Sequence, residues 1–460
     1  MSRATSAKSR EYRYCVVGGG ISGLSAAYRL RVVAGAAARI AVFDPADRPG
    51  GILHTIRLAG QPIDVGAEAF VARRPEVPAL LAELGMADMQ VDTTGVRPLV
   101  YAGGDLHPLP AGTVTGIPAR AESLTGLVDD AAVTYVANEP TRPLTWAAGA
   151  DPPVAEVVGD RFGPDVVARS VDPLLAGVYA GSAATIGLRS AAPGVAAALD
   201  RGAKSLTEAV REALPAPAAG PVFRAVGGGY QLLVDELLRR SRAEWFRAAV
   251  TTLRRESGAW ALTDDHDNSW RADAVVVAVP APRLASLLAD CAPAAAAAAA
   301  EILVASSVVV ALAVPPDTPL PERSGVLVAS GEPVHAKAIT LSSRKWGAGD
   351  GPQLLRLSFG RFGDDVARTG GDEQLRNWAV EDLVSVFGVT VDPVEFHVQR
   401  WIDAMPQYGP GHRGLVAQIR ADLPETVVLA GNYLDGIGVP ACVASGTAAA
   451  ASLVTSPVAR

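Results

Sequence analysis

Short, wholly apolar runs alternate along the chain with glycine turns and helically spaced segments. "YRYCVVGGG" (residues 12–20) is a β-branched run ending in three glycines, and "SGLSAAYRL" (22–30) behind it repeats its apolar positions with helical spacing. "ARIAVFD" (38–44) then reads as a second strand. The same alternation returns three times. "VFRAVGGGYQLLVDELL" places glycines 227–229 before a helix starting near Tyr230. "ADAVVVAVPAPRLASLL" is a buried strand stopped by Pro280 and Pro282, with a helix after it. "TVVLAGNYLDGIGVPACVASGTAAAASLV" (426–454) is strand, glycine-rich turn and small-residue helix. Between 292 and 314 the apolar stretch is broken by Pro293 and Glu301. It predicts a helix from Ala294 to Leu303 and a strand "SSVVVALAV" rather than a membrane span. Residues 1–13 are polar, lack the apolar core of a secretory leader, and are expected as a loose tail.

Strands alternating with helices predict an α/β protein. With 460 residues, 49% of them hydrophobic and 19% charged, the chain has material for a large core and about three domains. A net charge of −7 argues against a nucleic-acid surface. The three cysteines, Cys15, Cys291 and Cys442, are far apart and make no CxxC or Cys/His pattern. A disulfide framework and a zinc site are therefore not expected, and a reducing compartment fits.

Gly18, Gly20 and Gly23 form G-x-G-x-x-G at the first strand-to-helix turn. In that pattern the first glycine permits the tight turn, the second lets the backbone approach a pyrophosphate, and the third lets helix and strand pack closely. The helix end behind it offers free N–H groups and a positive dipole. Asp44 ends the second strand 21 residues after Gly23, where a carboxylate meets a ribose hydroxyl. Arg48, Gly50 and Gly51 follow in "DRPGG", an arginine beside two glycines that let the backbone pass close to a phosphate-bearing ligand. The glycines therefore answer to a dinucleotide.

These stretches, with "DVGAEAF", "GGGYQLL" and "GNYLDGIGVPACVASG", resemble the FAD-dependent amine oxidase and protoporphyrinogen oxidase superfamily. "VDPLLAGVYAGSAATIGLRSAAP" (171–193), "HAKAITLSSRKWG" (335–347) and "WIDAMPQYGPGH" (401–412) narrow the likeness to bacterial porphyrinogen oxidases, in particular the soluble type acting on coproporphyrinogen III. The likeness runs from about Tyr14 to Val454. Many relatives carry glutamate where this chain has Asp44; the shorter carboxylate still accepts the hydroxyl.

The resemblance implies a Rossmann-type FAD-binding domain built from residues 12–72, 211–285 and 422–456. It further implies a largely helical insertion at 73–210 forming part of a substrate slot, and a mixed-sheet substrate domain at 286–421. It implies FAD along Gly18, Gly20, Ile21, Ser22 and Gly23, with Asp44 on the ribose, Arg48, Gly50 and Gly51 beside the pyrophosphate, and Val250 at the adenine. Gly431 and Val439 would approach the isoalloxazine. Gly325 and Leu327 would line the slot, Tyr179 would close it, and Arg97 would meet a propionate, with Lys337, Arg344 and Lys345 as second choices. His412 either lies near the flavin or caps a turn.

The implied reaction is a six-electron oxidation of a porphyrinogen to a porphyrin in haem synthesis, with hydride passing to the flavin and dioxygen leaving as peroxide. No protein catalytic residue and no metal is then required. The implied setting is cytoplasmic, with peripheral membrane contact at most and transient contact with the next haem-pathway enzyme. Protoporphyrinogen IX is the alternative substrate. A flavin amine oxidase and a non-catalytic flavoprotein are more distant readings, and an NAD-linked reductase would need a second dinucleotide fingerprint.

Overall fold

The computed structural model describes residues 10–216, 220–347 and 351–455. Its first strand, β1 (Arg10–Val17), leads through the glycine turn into helix α1 (Ile21–Ala34) and on to β2 (Ile40–Asp44), parallel to β1 with Val16 opposite Val42. The sheet is completed from far along the chain. Glu244–Arg247 pairs with β2, and Ser269–Val277 pairs with the other edge of β1, both parallel. The second half of Ser269–Val277 pairs in parallel with Val427–Leu429. Its first half pairs antiparallel with Ala259–Asp264, which carries Val250–Glu256. Helices cover the central parallel strands on both faces, which is why their sequences are continuous apolar runs instead of alternating ones.

β1 starts earlier than the sequence suggests, so residues 10–13 are strand and not tail. Arg10, Glu11 and Tyr12 pair with Trp270, Arg271 and Ala272, and the Arg10 guanidinium lies 5.6 Å from the Trp270 ring centroid. That long-range pairing leaves no local trace. The rest of the expected tail, residues 1–9, lies outside the described residues.

A second sheet of seven strands runs Glu395–Pro406, Val304–Val314, Gln353–Phe359, Ala338–Thr340, Gly325–Val328, Leu99–Ala102, Asp105–Pro108. The helix expected at Ala294–Leu303 is shorter, Pro293–Ala300, and the strand behind it begins at Val304. No described helix is long and apolar enough to cross a membrane. Helix Asp372–Phe387 covers one face of this sheet through Leu375, Ala379 and Leu383. Against the sheet also packs the hairpin Thr55–Leu58/Gln61–Asp64, whose Leu58 and Ile63 meet Ala311 and Ala313. The Trp401 indole donates to the Val65 carbonyl at 2.9 Å and ties that hairpin's exit to the sheet. Between 90 and 118 the chain forms short strands, two of which close the edge of the second sheet; from 121 to 213 it is mainly helical, around a core that includes Phe162, Leu175, Leu188 and Leu206.

Candidate active site

A cavity of about 580 Å³ runs along the carboxyl ends of the parallel strands, from Asp44 past Gly20 to the turn at Gly431. Its position follows the rule that open α/β sheets bind ligands beyond those strand ends. Of the residues expected to hold a cofactor, Gly18, Gly20, Ile21, Ser22, Asp44, Gly50, Gly51, Val250, Gly431 and Val439 all line it. The structure gives the three fingerprint glycines different reasons. Gly18 has φ +113°, and a Cβ there would lie 2.3 Å from the Ala278 carbonyl oxygen. A Cβ on Gly23 would lie 2.0 Å from the Gly18 carbonyl oxygen, so Gly23 is required by packing and does not face the cavity. A Cβ on Gly20 would meet only the Gly51 Cα, at 3.9 Å. The space in front of Gly20 belongs to the cavity.

Helix α1 starts at that point, and no side chain caps it at Gly20. Its first-turn amides therefore remain available to an anion, as a pyrophosphate needs. Asp44 is held in place by accepting from the Gly19 N–H at 2.7 Å and the Ala46 N–H at 2.9 Å, each through one carboxylate oxygen. Each oxygen keeps a lone pair for a hydroxyl donor. Arg48 does not line the cavity. Its guanidinium donates to the carbonyls of Pro49, Gly51 and Leu53 at 3.2, 2.8 and 2.9 Å, bracing the Gly50–Gly51 loop from behind. That loop is in turn joined to the fingerprint by the Gly50 N–H, which donates to the Gly19 carbonyl at 2.8 Å.

At the opposite end the turn leading to the C-terminal helix (Val439–Thr455) is clamped by Tyr408. Its hydroxyl donates to the Asn432 carbonyl at 2.6 Å and accepts from the Gly436 N–H at 3.0 Å. The Tyr408 ring stacks on His412 at 4.0 Å between centroids, and the His412 Nε2 lies 2.8 Å from the Tyr433 carbonyl. Burial pushes the Tyr408 hydroxyl well above its ordinary pKa and pulls His412 below its own, so both act as neutral hydrogen-bonding groups. His412 is thus tied to the turn and does not itself line the cavity. Tyr408→Phe is expected to cost about 1 kcal/mol, because it removes the acceptor of the half-buried Gly436 N–H and the donor to the Asn432 carbonyl. Thermal unfolding of the protein checks this, with an unchanged melting temperature arguing against the clamp.

None of the residues expected at a substrate slot, Gly325, Leu327 and Tyr179, lines this cavity. Gly325 has φ +152°, and a Cβ there would lie 2.2 Å from the Ile339 carbonyl oxygen; Leu327 reaches toward Gly177, where a Cβ would sit 3.6 Å from it. Tyr179 lies 5.7 Å from the Tyr408 ring, and its carbonyl accepts from Gln407 Nε2 at 2.8 Å. Arg97 is exposed and outside the cavity lining, with its carbonyl facing the Ser324 N–H at 3.4 Å. The second-choice cations are already engaged. Lys337 is buried, donates to Ser307 Oγ and the carbonyls of Phe359 and Gly360, and burial pulls its pKa down to about 7. Arg344 pairs with Glu322, and Lys345 with Glu68. Burial pushes the Glu68 carboxyl up, but Lys345 and Arg356 outweigh it and hold the group at about 2.

Several lining residues were not legible in the sequence: Ile52 and Leu53 before the hairpin, Ala67 after it, Ile402 and Ala404 on the last long strand, and Asn432. Ile402 stands out only once the chain is folded, as a large apolar side chain left 39% exposed. Among the described residues the one cluster of metal-ligand type is Asp264, Asp265 and His266. Asp264 there is occupied by the N–H groups of His266 and Asn268 and by the Trp270 indole, so the cluster is a structured turn.

The coproporphyrinogen III oxidase of Mycobacterium tuberculosis is 62% identical over 441 residues, covering 96% of this chain and 97% of its own length. That of Mycobacterium leprae is 62% identical over 432 residues, covering 94% and 96%. Among solved structures, a protein from Exiguobacterium sp. 255-15 assigned as a protoporphyrinogen oxidase superposes with a TM-score of 0.85 at 28% identity, over 96% of this chain and 98% of that one. Residues 21–454, nearly the whole length, match one family, and the chain belongs to it: the flavin-containing amine oxidoreductases.

Proposed function

We propose that this chain is an FAD-dependent oxidase that converts coproporphyrinogen III to coproporphyrin III in haem synthesis. The observation that carries the reading is the 62% identity, over nearly the full length of both chains, to enzymes of that name. The cavity fits FAD on the structure's own terms. It runs from Asp44 to the Gly431 turn, has the uncapped end of α1 on one side, and is kept open in front of Gly20 by the missing side chain. When bound, FAD supplies a two-electron acceptor that dioxygen restores.

The chain's own residues hold and shield. The amides of Gly20, Ile21 and Ser22 offset pyrophosphate charge, Gly18 and the Gly50–Gly51 loop let the backbone approach, and Arg48 fixes that loop. Asp44 accepts a ribose hydroxyl, and Val250 lies at the adenine end. Gly431 and Val439 serve the isoalloxazine end, where the start of the C-terminal helix offers its dipole to negative charge. Ile52, Leu53, Ala67, Ile402 and Ala404 supply apolar walls that keep water out. Gly325, Leu327 and Tyr179 border the slot for the macrocycle. We place the enzyme in the cytoplasm, in keeping with three free cysteines of which Cys15 and Cys442 are buried.

The overall change removes six electrons and six protons from the porphyrinogen and returns them to three dioxygen molecules as three hydrogen peroxides. The test is porphyrin fluorescence against time with yellow purified protein in air, with peroxide followed and coproporphyrinogen III and protoporphyrinogen IX offered in parallel. Coproporphyrin formation with about three peroxides per porphyrin is the expected result, since each flavin cycle moves one electron pair. Preference for protoporphyrinogen IX would instead support the second reading, which the Exiguobacterium structure favours. Turnover of neither by FAD-loaded protein would overturn both.

A further inference from the structure

A flat, apolar, polycarboxylate substrate needs cations at the rim of its slot, and the cations first considered are either engaged or exposed away from the cavity. Arg361 differs from them. It is half-buried, and among the described residues no carboxylate lies within ion-pair distance of its guanidinium. Its one side-chain hydrogen bond is long, 3.5 Å from Nη2 to the Val328 carbonyl, and so is weak. A half-buried guanidinium with so few protein partners retains most of its donor capacity for a ligand.

Its place in the fold is fixed from both sides. The next residue, Phe362, donates its N–H to the Ala180 carbonyl at 2.6 Å, anchoring the segment to the end of helix Asp172–Tyr179. The preceding carbonyl, that of Gly360, is held by Lys337. Arg361 therefore sits where that helix meets strand Gly325–Val328, at Val328 and near Ala180, the residues that follow Leu327 and Tyr179. Val178 on the same helix is left 48% exposed, an apolar side chain facing open space. The nearby acid Asp172 is engaged by the Ala183 N–H and the Ser330 hydroxyl, and Asp364 by the N–H groups of Arg361 and Val366.

We propose that Arg361 binds a carboxylate of the macrocyclic substrate at the rim of the slot between strand Gly325–Val328 and helix Asp172–Tyr179. The assignment rests on the porphyrinogen reading above.

The test uses the FAD-loaded enzyme and coproporphyrin III, with its tetramethyl ester in the same detergent buffer as the uncharged control. Binding is read by porphyrin fluorescence in wild type, Arg361→Ala, Arg361→Gln and Arg361→Lys. Loss of a charge-assisted contact is expected to weaken free-acid binding about 10- to 100-fold in the Ala and Gln variants, with a smaller loss in Lys. Ester binding should be the same in all four proteins, and KM for coproporphyrinogen III should rise with kcat nearly unchanged. Equal losses for acid and ester, or none for the acid, would overturn the assignment. Flavin absorbance and melting temperature identify a variant that has failed to fold, and the Gln variant keeps a polar hydrogen-bonding end without the charge. A wild-type enzyme inactive on porphyrinogens would instead remove the underlying reading.

Discussion

Gly20→Val is expected to give a folded protein without colour. Gly20 has φ −72° and ψ 175°, an ordinary extended conformation, so a side chain introduces no backbone strain. Its Cβ would make a normal contact with the Gly51 Cα at 3.9 Å and nothing else, and its methyl groups would project into the gap between the fingerprint and the Gly50–Gly51 loop. That gap is where a pyrophosphate must come close to the amides of α1. The expected outcome is apo-protein stability within about 1 kcal/mol of wild-type apo-protein, as for substitutions that neither strain nor bury anything. Flavin absorbance at protein-normalised concentration should fall to near zero, and oxidase activity with it. Gly23→Ala is the contrasting control. Its Cβ would lie 2.0 Å from the Gly18 carbonyl oxygen, so it should disturb the fold itself and lower the melting temperature with or without FAD. A yellow, fully loaded Gly20→Val would falsify the placement of the pyrophosphate.

What could be read in the sequence is what is local. The fingerprint, Asp44 and the final glycine turn are short segments whose residue types already state a backbone requirement, and ten of the twelve cofactor candidates come together on one cavity. The exceptions are instructive. Gly23 serves packing, and Arg48 turns inward because three carbonyls of its own loop lie within reach of one guanidinium. The second sheet was harder to see. Its central strand Val304–Val314 pairs with Gln353–Phe359 and Glu395–Pro406, and its far edge comes from Leu99–Pro108, so no window of sequence contains its register. Charged residues were the least legible of all. Lys337, Arg344 and Lys345 carry the same formal charge in the sequence as Arg361, and only the fold shows which of them already has partners.

Glu139→Ala is expected to be the most destabilising single change in the helical part of the chain. The Glu139 carboxylate is fully buried and accepts from Arg161 Nε at 2.9 Å, from the N–H groups of Leu206 and Thr207 at 2.7 and 3.2 Å, and from the Thr207 hydroxyl at 2.8 Å. Arg161 in turn donates to the carbonyls of Pro143, Arg142 and Glu139. One carboxylate thus neutralises a buried guanidinium and serves the first amides of helix Leu206–Ala213, joining three stretches that are remote in sequence. Removing it leaves an uncompensated buried cation, which costs about 3–5 kcal/mol. Arg161→Met should cost less, because the remaining carboxylate keeps its donors at a helix N-terminus, where negative charge is stabilised. Urea unfolding of the two variants measures the difference. The ordering matters more than either size: if Arg161→Met proves the worse of the two, the guanidinium and its three carbonyls organise this region, and the helix end is secondary. Both variants should retain flavin below their unfolding transitions, because neither residue lines the cavity.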